Sequence, residues 1–580
     1  MQVPAPAAQR VMRVPDFGTV LLAAPVVCAS LAIVGLLLFV LWMSVAKTSA
    51  GLATGGYTVA NYGALFRDPL VAHAAWNTLV FALLTTLVAG AFGLPLAWLA
   101  ERTDLRGRGA IAVALTTGLL IPGFFTAMGW IFLLHPRIGF VNLWLRQALG
   151  LAAAPLPITN LYGMAWIEGL TLAPLFFLMT ASGFRAMDPV LEEAARISGA
   201  SGVQALGRIV LPLMRPGMLA AGIFTFTVAL GTFDVPGIVG LASRIFTFST
   251  LIYVKTSAVD DLPNYGLPAA FGSATVVLSL VLSLSYVRLL RRSRQYQVIT
   301  GRGYRPRPVR LGRWAIAGWG FAGFYITLAL VLPLLLVVWS ALHPFYVPPS
   351  LQALRTASLT TFAHVPWALV LRGLGNSLAV AGLTPTLALA VSFAFSWLIL
   401  RSRVKGRLLL DEIAFLPQAI PGIIFSLGAI ILALFVVPDF LPLYGSLSIL
   451  VLVYSVSWVS FGTRVVNSAL IQVSNELEEA SYVAGATRLA TFRVIVLPLV
   501  RPAMLGAWVW LALLAMRELT RAVILVTGDN ITLPVVTWNL WNGNQLSEAC
   551  AVILTMICLF APFLLLYFSL ARRGEMPLDV

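Results

Sequence analysis

The chain has 580 residues, of which 59% are hydrophobic and only 10% are charged, and its formal net charge is +16. Soluble domains average about 25% charged residues, so this composition excludes an ordinary soluble protein and favours one embedded in a lipid bilayer. A basic balance can indicate nucleic-acid binding, but here the positive charge fits loops that flank membrane spans, and no nucleic-acid partner is expected.

Apolar runs of about 20 residues, long enough to cross a bilayer as a helix, recur from end to end. They predict an all-α polytopic membrane protein with about twelve transmembrane helices, arranged as two parallel six-helix repeats. The first six are predicted near 19–45, 77–100, 110–134, 161–183, 217–239 and 268–290. The other six are predicted near 315–342, 376–400, 410–437, 444–467, 503–526 and 549–571.

The first apolar run, near 20–43, follows Arg10 and Arg13 and resembles the start of a secretory signal. It is too long for a signal-peptide core and lacks a convincing cleavage site, so we interpret it as a retained first span.

Positive charge separates the predicted loops into two sets. Arginine and lysine are rich in 101–109, in 401–407 and above all in 288–313, which holds nine arginines. The loops 46–75 and 344–375 on the opposite side have few. Because basic loops mark the cytoplasmic face, both termini are predicted to be cytoplasmic.

The second half of the chain repeats the first. The tripeptide "IPG" at 121–123 recurs 299 residues later, and beyond the middle of each half the offset becomes 286. The 13-residue difference fits a longer outer loop near 135–160. Equal orientation of the halves implies an axis along the membrane normal, with a pathway between them. The predicted domains are a cytoplasmic N-terminal segment 1–18, a first permease half 19–290, an Arg-rich cytoplasmic linker 291–314, a second half 315–571 and a cytoplasmic tail 572–580.

A polar motif stands in the same place in each half. It reads "EEAARISGAS" from residue 192 and "EEASYVAGAT" from residue 478, within the loops 188–216 and 474–502. Acids in the first turn favour a helix start, and Gly199 and Gly485 are predicted to end that helix. A second short helix then leads to Leu-Pro, so each loop is predicted to be a helix-turn-helix suited to a groove on a partner.

This arrangement resembles the coupling loop, or EAA motif, of ABC importer permeases. The family pattern of Glu-Ala-Ala, Gly and Leu-Pro is complete in the first loop, whereas Ser481 replaces the second alanine of the other loop. The resemblance implies that each loop docks into an ATPase subunit, so two such subunits and a periplasmic substrate-binding protein are the expected partners. The residues implied in ATPase coupling are Glu192, Glu193, Ala194, Ala195, Gly199, Glu478, Glu479, Ala480 and Gly485.

No ATPase site is expected in this chain, since it lacks the G-x-x-x-x-G-K-[ST] phosphate-binding loop. We expect no enzymatic activity and no cofactor of its own; ATP and magnesium are expected on the partner subunit. The expected location is the bacterial inner membrane.

Charged residues inside the predicted spans are candidates for the translocation path, since ionisable groups at membrane depth usually face a cavity or a partner. They are Asp234 in the first half, and Arg517, Glu518 and Arg521 in the second. Arg517 and Arg521 are expected to share one helical face. The alternative is that the charges pair internally and hold the helices together.

Neither the cysteines nor the histidines show the spacing of metal ligands. The cysteines are expected to be small buried hydrophobes, and the histidines to pack or bond in outer loops. These residues are Cys28, Cys550, Cys558, His73, His135, His343 and His364.

Within the importer permeases, "TFDVPGIVG" and "RELT" resemble the ferric-iron group, whose wider set also carries phosphonates, sugar phosphates, thiamine and polyamines. The less favoured alternative is a twelve-helix secondary transporter, which also has parallel halves but needs no docking site for an ATPase. A membrane-embedded enzyme is set aside, because no convergent catalytic group is present.

Overall fold

The computed structural model describes residues 17–49, 52–187, 190–257, 265–294, 308–402, 404–438 and 440–572. The predicted N-terminal segment and C-terminal tail therefore lie almost wholly outside the described residues, and so does the middle of the linker.

The first half contains twelve helices and a hairpin among its described residues. They are α1 (Phe17–Val45), β1 (Ala46–Ser49), β2 (Leu52–Tyr57), α2 (Ala60–Arg67), α3 (Pro69–Arg102), α4 (Gly109–Leu120), α5 (Gly123–Leu134), α6 (Phe140–Leu149), α7 (Leu161–Ala186), α8 (Val190–Ile197), α9 (Gly202–Ala205), α10 (Leu211–Gly231), α11 (Phe248–Thr256) and α12 (Gly266–Arg294). The two strands pair antiparallel.

The second half contains thirteen helices among its described residues. Its helices are α13 (Ala315–Ile326), α14 (Leu332–Ala341), α15 (Leu351–Leu354), α16 (Thr360–His364), α17 (Trp367–Leu400), α18 (Arg407–Ala419), α19 (Gly422–Ile431), α20 (Leu447–Gln472), α21 (Asn475–Val483), α22 (Arg488–Thr491), α23 (Leu497–Met516), α24 (Leu533–Asn542) and α25 (Leu546–Arg572). A 3₁₀ turn at Gly312–Trp314 and π-helical turns at Leu206–Val210, Pro236–Gly240, Thr327–Val331, Leu432–Val436 and Phe492–Val496 join or extend them.

Within the described residues, ten helices are long and apolar enough to cross a membrane, and the number rises to twelve if each of two bent pairs is one span. This confirms an all-α polytopic membrane fold with about twelve spans.

Two predicted spans are not straight. The helices α4 and α5 meet at 94°, and α18 and α19 meet at 100°. Both bends lie at the repeated Ile-Pro-Gly, where Ile121 and Ile420 have extended backbones. Proline has no N–H for a helical hydrogen bond and forces the residue before it out of the helical region, so the helix breaks there.

The fifth span of each half begins earlier than predicted. The helix runs through Pro216 in one half and Pro502 in the other, and it ends at Gly231 and at Met516. The stretch from Phe492 to Met516 already has 25 residues, enough to cross the hydrocarbon core. The expectation that Arg517 and Arg521 share a helical face is therefore wrong, because both follow the end of α23.

The first helix of each half packs against the opposite half. Besides α12 of its own half, α1 contacts α17 and α19, whereas α14 contacts α25 and, across the halves, α5. Equivalent glycines allow the close approach, since a Cβ on Gly428 would lie 2.3 Å from the Leu36 carbonyl oxygen and one on Gly129 would lie 2.5 Å from Pro333 Cα. One hydrophobic core consequently runs through both halves.

Candidate coupling loops and the polar centre between the halves

Each coupling loop is a short helix closed by a glycine. Gly199 has φ +85° and Gly485 has φ +83°, a left-handed conformation that glycine adopts without a steric penalty. The next residue donates its N–H back into the helix, from Ala200 to the Ala195 carbonyl at 2.9 Å and from Ala486 to the Ser481 carbonyl at 3.0 Å. This glycine-terminated ending confirms the predicted turn in both loops.

The first glutamate of each motif points inwards. Glu192 is buried and forms an ion pair with Arg102, the last residue of α3. The second-half equivalent, Glu478, is also buried and lies 3.4 Å from Arg401, which follows α17. These glutamates therefore anchor the loops to the membrane helices.

The two arginines also hold the chain that enters each loop. Arg102 donates to the Met187 carbonyl at 3.1 Å, and Arg401 donates to the Val473 carbonyl at 2.6 Å. Sequence reasoning missed both residues. They are 299 residues apart, the offset of the first part of the repeat, and this regularity could have identified them.

Most of the other described residues of the motif are exposed. Glu479 and Ala480 are exposed, as are Ala194 and the two terminating glycines; Ala195 is half-buried, and the side chain of Glu193 lies outside the described part of α8. Ile197 and Val483 occupy equivalent positions and are 87% and 90% exposed. Partial burial and the nearby Glu478 raise the pKa of Tyr482, so its hydroxyl stays protonated at neutral pH. Each loop thus presents an apolar side chain at its tip.

The departure from the family pattern at Ser481 has a structural role. Its hydroxyl lies 2.9 Å from the Thr491 hydroxyl and so links α21 to α22. The equivalent positions in the first half, 195 and 205, are both alanine. Both alanines of the first half are therefore replaced by hydroxyl residues in the second half, and the second loop has a hydrogen bond that the first loop lacks.

The two halves meet at a polar contact between equivalent residues. The Thr520 hydroxyl donates to the Asp234 carboxylate at 3.1 Å, and these positions are separated by 286 residues, the offset of the repeat. A contact between equivalent positions lies on the axis that relates the halves. Asp234 and Thr520 thus mark the centre of the molecule in the membrane plane.

Charged side chains at this centre bond to the broken helix of the first half. Arg517, from the second half, donates to the carbonyls of Leu119 and Ile121 at the end of α4. Asp234 accepts a hydrogen bond from the N–H of Gly123, the first residue of α5. The break leaves such backbone groups without helical partners, and the two charged residues satisfy them.

The remaining charges of the cluster pair with each other. Arg521 lies 2.5 Å from Glu518, and its guanidinium stands over the Trp458 ring at 5.7 Å. The Ser426 hydroxyl of α19 donates to the Arg521 carbonyl at 2.9 Å, which ties this segment to the second broken helix.

Glu168 belongs to the same centre and was missed from the sequence. It is buried in α7, interacts with Thr232, Asp234 and Arg517, and has one carboxylate oxygen without a hydrogen-bond partner among the described residues. Its second-half equivalent is Tyr454. A lone acid within an apolar run was the available signal.

The four predicted path residues therefore come together with Glu168 around the axis. The cluster has three carboxylates and two guanidiniums, and the predicted residues remain partly exposed although apolar side chains surround them. Such an arrangement can contact a polar solute.

Three of the histidines bond within their own loops. His343 is buried and its ring nitrogens lie 2.8 Å and 3.0 Å from the carbonyls of Trp339 and Ala353. The His135 ring accepts from the Arg137 N–H at 3.2 Å, and His364 lies 3.0 Å from the Thr360 carbonyl. These contacts fit the expected loop hydrogen bonding.

Relatives of this chain are transport permeases. It is 23% identical over 497 residues to the Fe(3+)-transport system permease protein FbpB 2 of Haemophilus influenzae, covering 85% of this chain and 88% of the relative. It is 31% identical to a probable molybdenum ABC transporter permease protein of Haloferax volcanii, over 45% of this chain and 85% of that one. The spermidine/putrescine permease PotB of Escherichia coli is 28% identical, over 41% of this chain and 83% of the relative.

A bacterial alginate ABC transporter, crystallised with a periplasmic protein that binds an alginate pentasaccharide, is 20% identical at a TM-score of 0.33, over 42% of this chain and 85% of the matched chain. The family of binding-protein-dependent transport system inner membrane components matches residues 93–295 and 387–574, one copy in each half and together more than half of the chain. The chain therefore belongs to this family and is a permease subunit of an ABC importer.

Proposed function

We propose that this permease carries ferric iron, which it receives from a periplasmic binding protein, and that two ATPase subunits drive it by alternating access. The observation that carries the cargo assignment is the extent of similarity to ferric permeases. The FbpB 2 alignment spans both halves of the chain, whereas the molybdenum and polyamine permeases match less than half of it.

The polar centre is compatible with this cargo. Glu168 and Asp234 supply carboxylates from the first half, and carboxylate oxygens are the ligands that hard cations prefer. Arg517 offsets part of their negative charge. A cation would therefore bind weakly enough to be released from this centre. We therefore assign the path to this centre.

The coupling loops would receive the ATPase subunits. The exposed tips at Ile197 and Val483 offer apolar side chains to a groove, and the buried glutamates hold each loop to the helices that must move. ATP and magnesium belong to the partner subunits, and this chain contributes no catalytic residue. Closure of the ATPases would rock the two halves about the axis.

The first alternative is the same machine with another small solute, such as a phosphonate, sugar phosphate, thiamine or polyamine. The similarity to the polyamine permease keeps this alternative open. A twelve-helix secondary transporter is excluded, because the chain belongs to the importer permease family and such a transporter does not require two coupling loops.

Uptake of radiolabelled ferric iron tests the proposal. We expect cells with the gene to accumulate more iron than cells without it, and we expect depletion of ATP to abolish the difference. Gene-dependent uptake that survives ATP depletion but collapses with the proton gradient would contradict the ATP-driven mechanism. Unchanged iron uptake, with ATP-dependent uptake of another solute, would move the cargo to the first alternative.

We also propose that the chain lies in the inner membrane with both termini cytoplasmic. A reporter enzyme that is active only in the periplasm, fused to the C-terminus, should be inactive. The same reporter inserted in the predicted outer loop near 135–160, which contains α6, should be active.

A further inference from the structure

The linker joins the first half by a short backbone pairing. The Val309 N–H donates to the Arg102 carbonyl at 2.8 Å, and the Asp104 N–H donates to the Val309 carbonyl at 3.0 Å. The Leu311 N–H donates to the Asp104 carboxylate at 2.8 Å, a contact between residues 207 positions apart. The end of the linker is therefore held beside the loop that follows α3.

This pairing brings four exposed arginines into one surface patch, which consists of Arg106, Arg108, Arg310 and Arg313. Arg108 donates to the Thr103 carbonyl at 3.1 Å. The one acidic residue in these two segments, 104–108 and 308–313, is Asp104, so the patch carries a formal excess of three positive charges.

The patch lies at an end of a membrane span. The candidate span from Gly312 to Ala341 begins inside it, and Trp314 and Ile316 are 67% and 81% exposed. Trp319 donates its indole N–H to the Arg106 carbonyl at 3.2 Å and fixes the loop against the start of that span. Arginines beside exposed tryptophan and aliphatic side chains are typical of a protein surface at the level of lipid headgroups.

We propose that this arginine patch binds the headgroup of an anionic phospholipid. The cationic groups stand beside the apolar surface at Trp314 and Ile316, and this surface continues along the exposed side of α13, as a bound lipid with a charged headgroup and apolar chains requires. An acidic protein partner would leave that apolar surface uncovered, so lipid fits the patch better. Basic clusters directly beside a membrane span attract anionic lipids.

The bound lipid would act on the first coupling loop. The Arg102 carbonyl accepts from the linker, whereas the Arg102 side chain pairs with Glu192. A headgroup that holds the linker in place therefore holds the residue that anchors α8. In the second half, the equivalent loop residues are Lys405 and Arg407.

Lipid retention by the purified full-length chain tests this site. Phosphatidylglycerol or phosphatidylcholine is titrated into the detergent-solubilised protein, and bound lipids are counted by native mass spectrometry. We expect preferential retention of phosphatidylglycerol by the parent and a loss of roughly tenfold or more in the R310Q/R313Q variant, since two basic groups near the headgroup are removed. The matched control R67Q/R355Q removes two exposed positive charges from the opposite loops, 46–75 and 344–375, and should retain the lipid as the parent does.

Several outcomes would overturn the proposal. One is an equal loss in R67Q/R355Q, which would indicate a general charge effect. Another is equal retention of the two lipids by the parent. Displacement of the lipid by free glycerol phosphate at equal concentration would indicate a site for a soluble phosphate compound. Full lipid retention in R310Q/R313Q, with reduced co-purification of the ATPase, would indicate an acidic protein partner.

Discussion

Arg517 and Asp234 show how charges can be held at membrane depth. Arg517 donates to two carbonyls at the end of α4, and Asp234 accepts from the first N–H of α5. In a bilayer core, water is not available to these backbone groups. The two side chains therefore provide the hydrogen bonds that the backbone loses where the helix breaks. The same residues can serve packing and the path, because each remains partly exposed.

Replacement of Arg517 should separate these roles. Hydrogen bonds from a charged donor contribute about 1.5–3 kcal/mol each, so we expect Arg517→Gln to reduce uptake roughly tenfold or more. Arg517→Lys keeps the positive charge but loses the planar guanidinium group, which can donate to two carbonyls at once. We therefore expect this variant to retain part of the uptake activity. The measurement is solute uptake with co-purification of the ATPase as the control for assembly. Wild-type uptake in Arg517→Gln would exclude this residue from the path.

Gly231 is the first-half equivalent of Arg517 and touches the other break. A Cβ at this position would lie 2.3 Å from Pro421 Cβ. We expect Gly231→Ala to push the halves apart at the axis and to reduce uptake severalfold, because a packed contact this close cannot accept a methyl group. Gly320→Ala is the matched control, since a Cβ there meets no atom within 4 Å. Equal uptake in both variants would contradict a close contact at the axis.

Among the elements, the coupling loops combine an exposed tip with a buried anchor. Ile197 and Val483 are exposed at the tips, whereas the Arg–Glu pairs fix each loop to the ends of α3 and α17. A π-helical turn then joins each loop to the fifth span, and each turn is followed by Leu-Pro. Irregular turns of this kind are often found at functional positions, and here they lie between each coupling loop and the fifth span.

The buried pair Arg401–Glu478 can be tested by a double-mutant cycle. Arg401→Ala leaves Glu478 buried without its counter-ion, and we expect about 3–5 kcal/mol of destabilisation. Arg401→Ala/Glu478→Ala should recover part of that loss. Arg464→Ala is the control, because its pair with Asp411 is half exposed and should contribute only about 0–1 kcal/mol. The stability of each purified variant is measured by thermal unfolding. Equal losses of stability in Arg401→Ala and Arg464→Ala would show that the buried pair contributes no more than an exposed one.

Substitutions at the exposed face of α21 should uncouple transport. Glu479→Lys reverses a charge on the proposed docking surface, and Gly485→Pro cannot adopt φ +83°. We expect both to abolish ATP-dependent uptake with normal membrane insertion. Glu476→Lys, an exposed change in the first turn of the same helix, should act weakly. Parental uptake in Glu479→Lys and Gly485→Pro would show that this surface does not dock an ATPase.

Local patterns predicted the spans, the repeat and the loop helices, because apolar runs, caps and terminating glycines act within a few residues. The buried anchors were not predictable in this way, since Arg102 and Glu192 are 90 residues apart. The bends were visible as a repeated Ile-Pro-Gly, but proline is tolerated inside other spans here, as at Pro502. Whether a helix bends or breaks at proline depends on partners such as Arg517 that satisfy the freed groups.

For the whole molecule, the exchange of first helices makes each half depend on the other. Without α14, the first half would expose the surface around Gly129, and without α1 the second half would expose that around Gly428. The halves are therefore one folding unit.

Expression of the two halves as separate chains tests this dependence. Residues 1–300 or 301–580 alone should be degraded or aggregate, because each lacks the helix that covers its core. Co-expression should restore a complex with measurable uptake. A stable, monodisperse first half on its own would contradict the importance of the exchange.

The contact between Asp234 and Thr520 also bears on why a single gene would encode both halves. In a dimer of identical chains, every residue on the axis faces its own copy, and two aspartates placed there would repel each other. When both halves are joined in one polypeptide, every molecule contains one first half and one second half, and the two sequences can diverge. The acid Asp234 can then face the hydroxyl of Thr520, and Gly231 can have Arg517 as its counterpart. A duplicated gene that stays fused can accumulate such unequal pairs, because no assembly with two acidic halves is ever made.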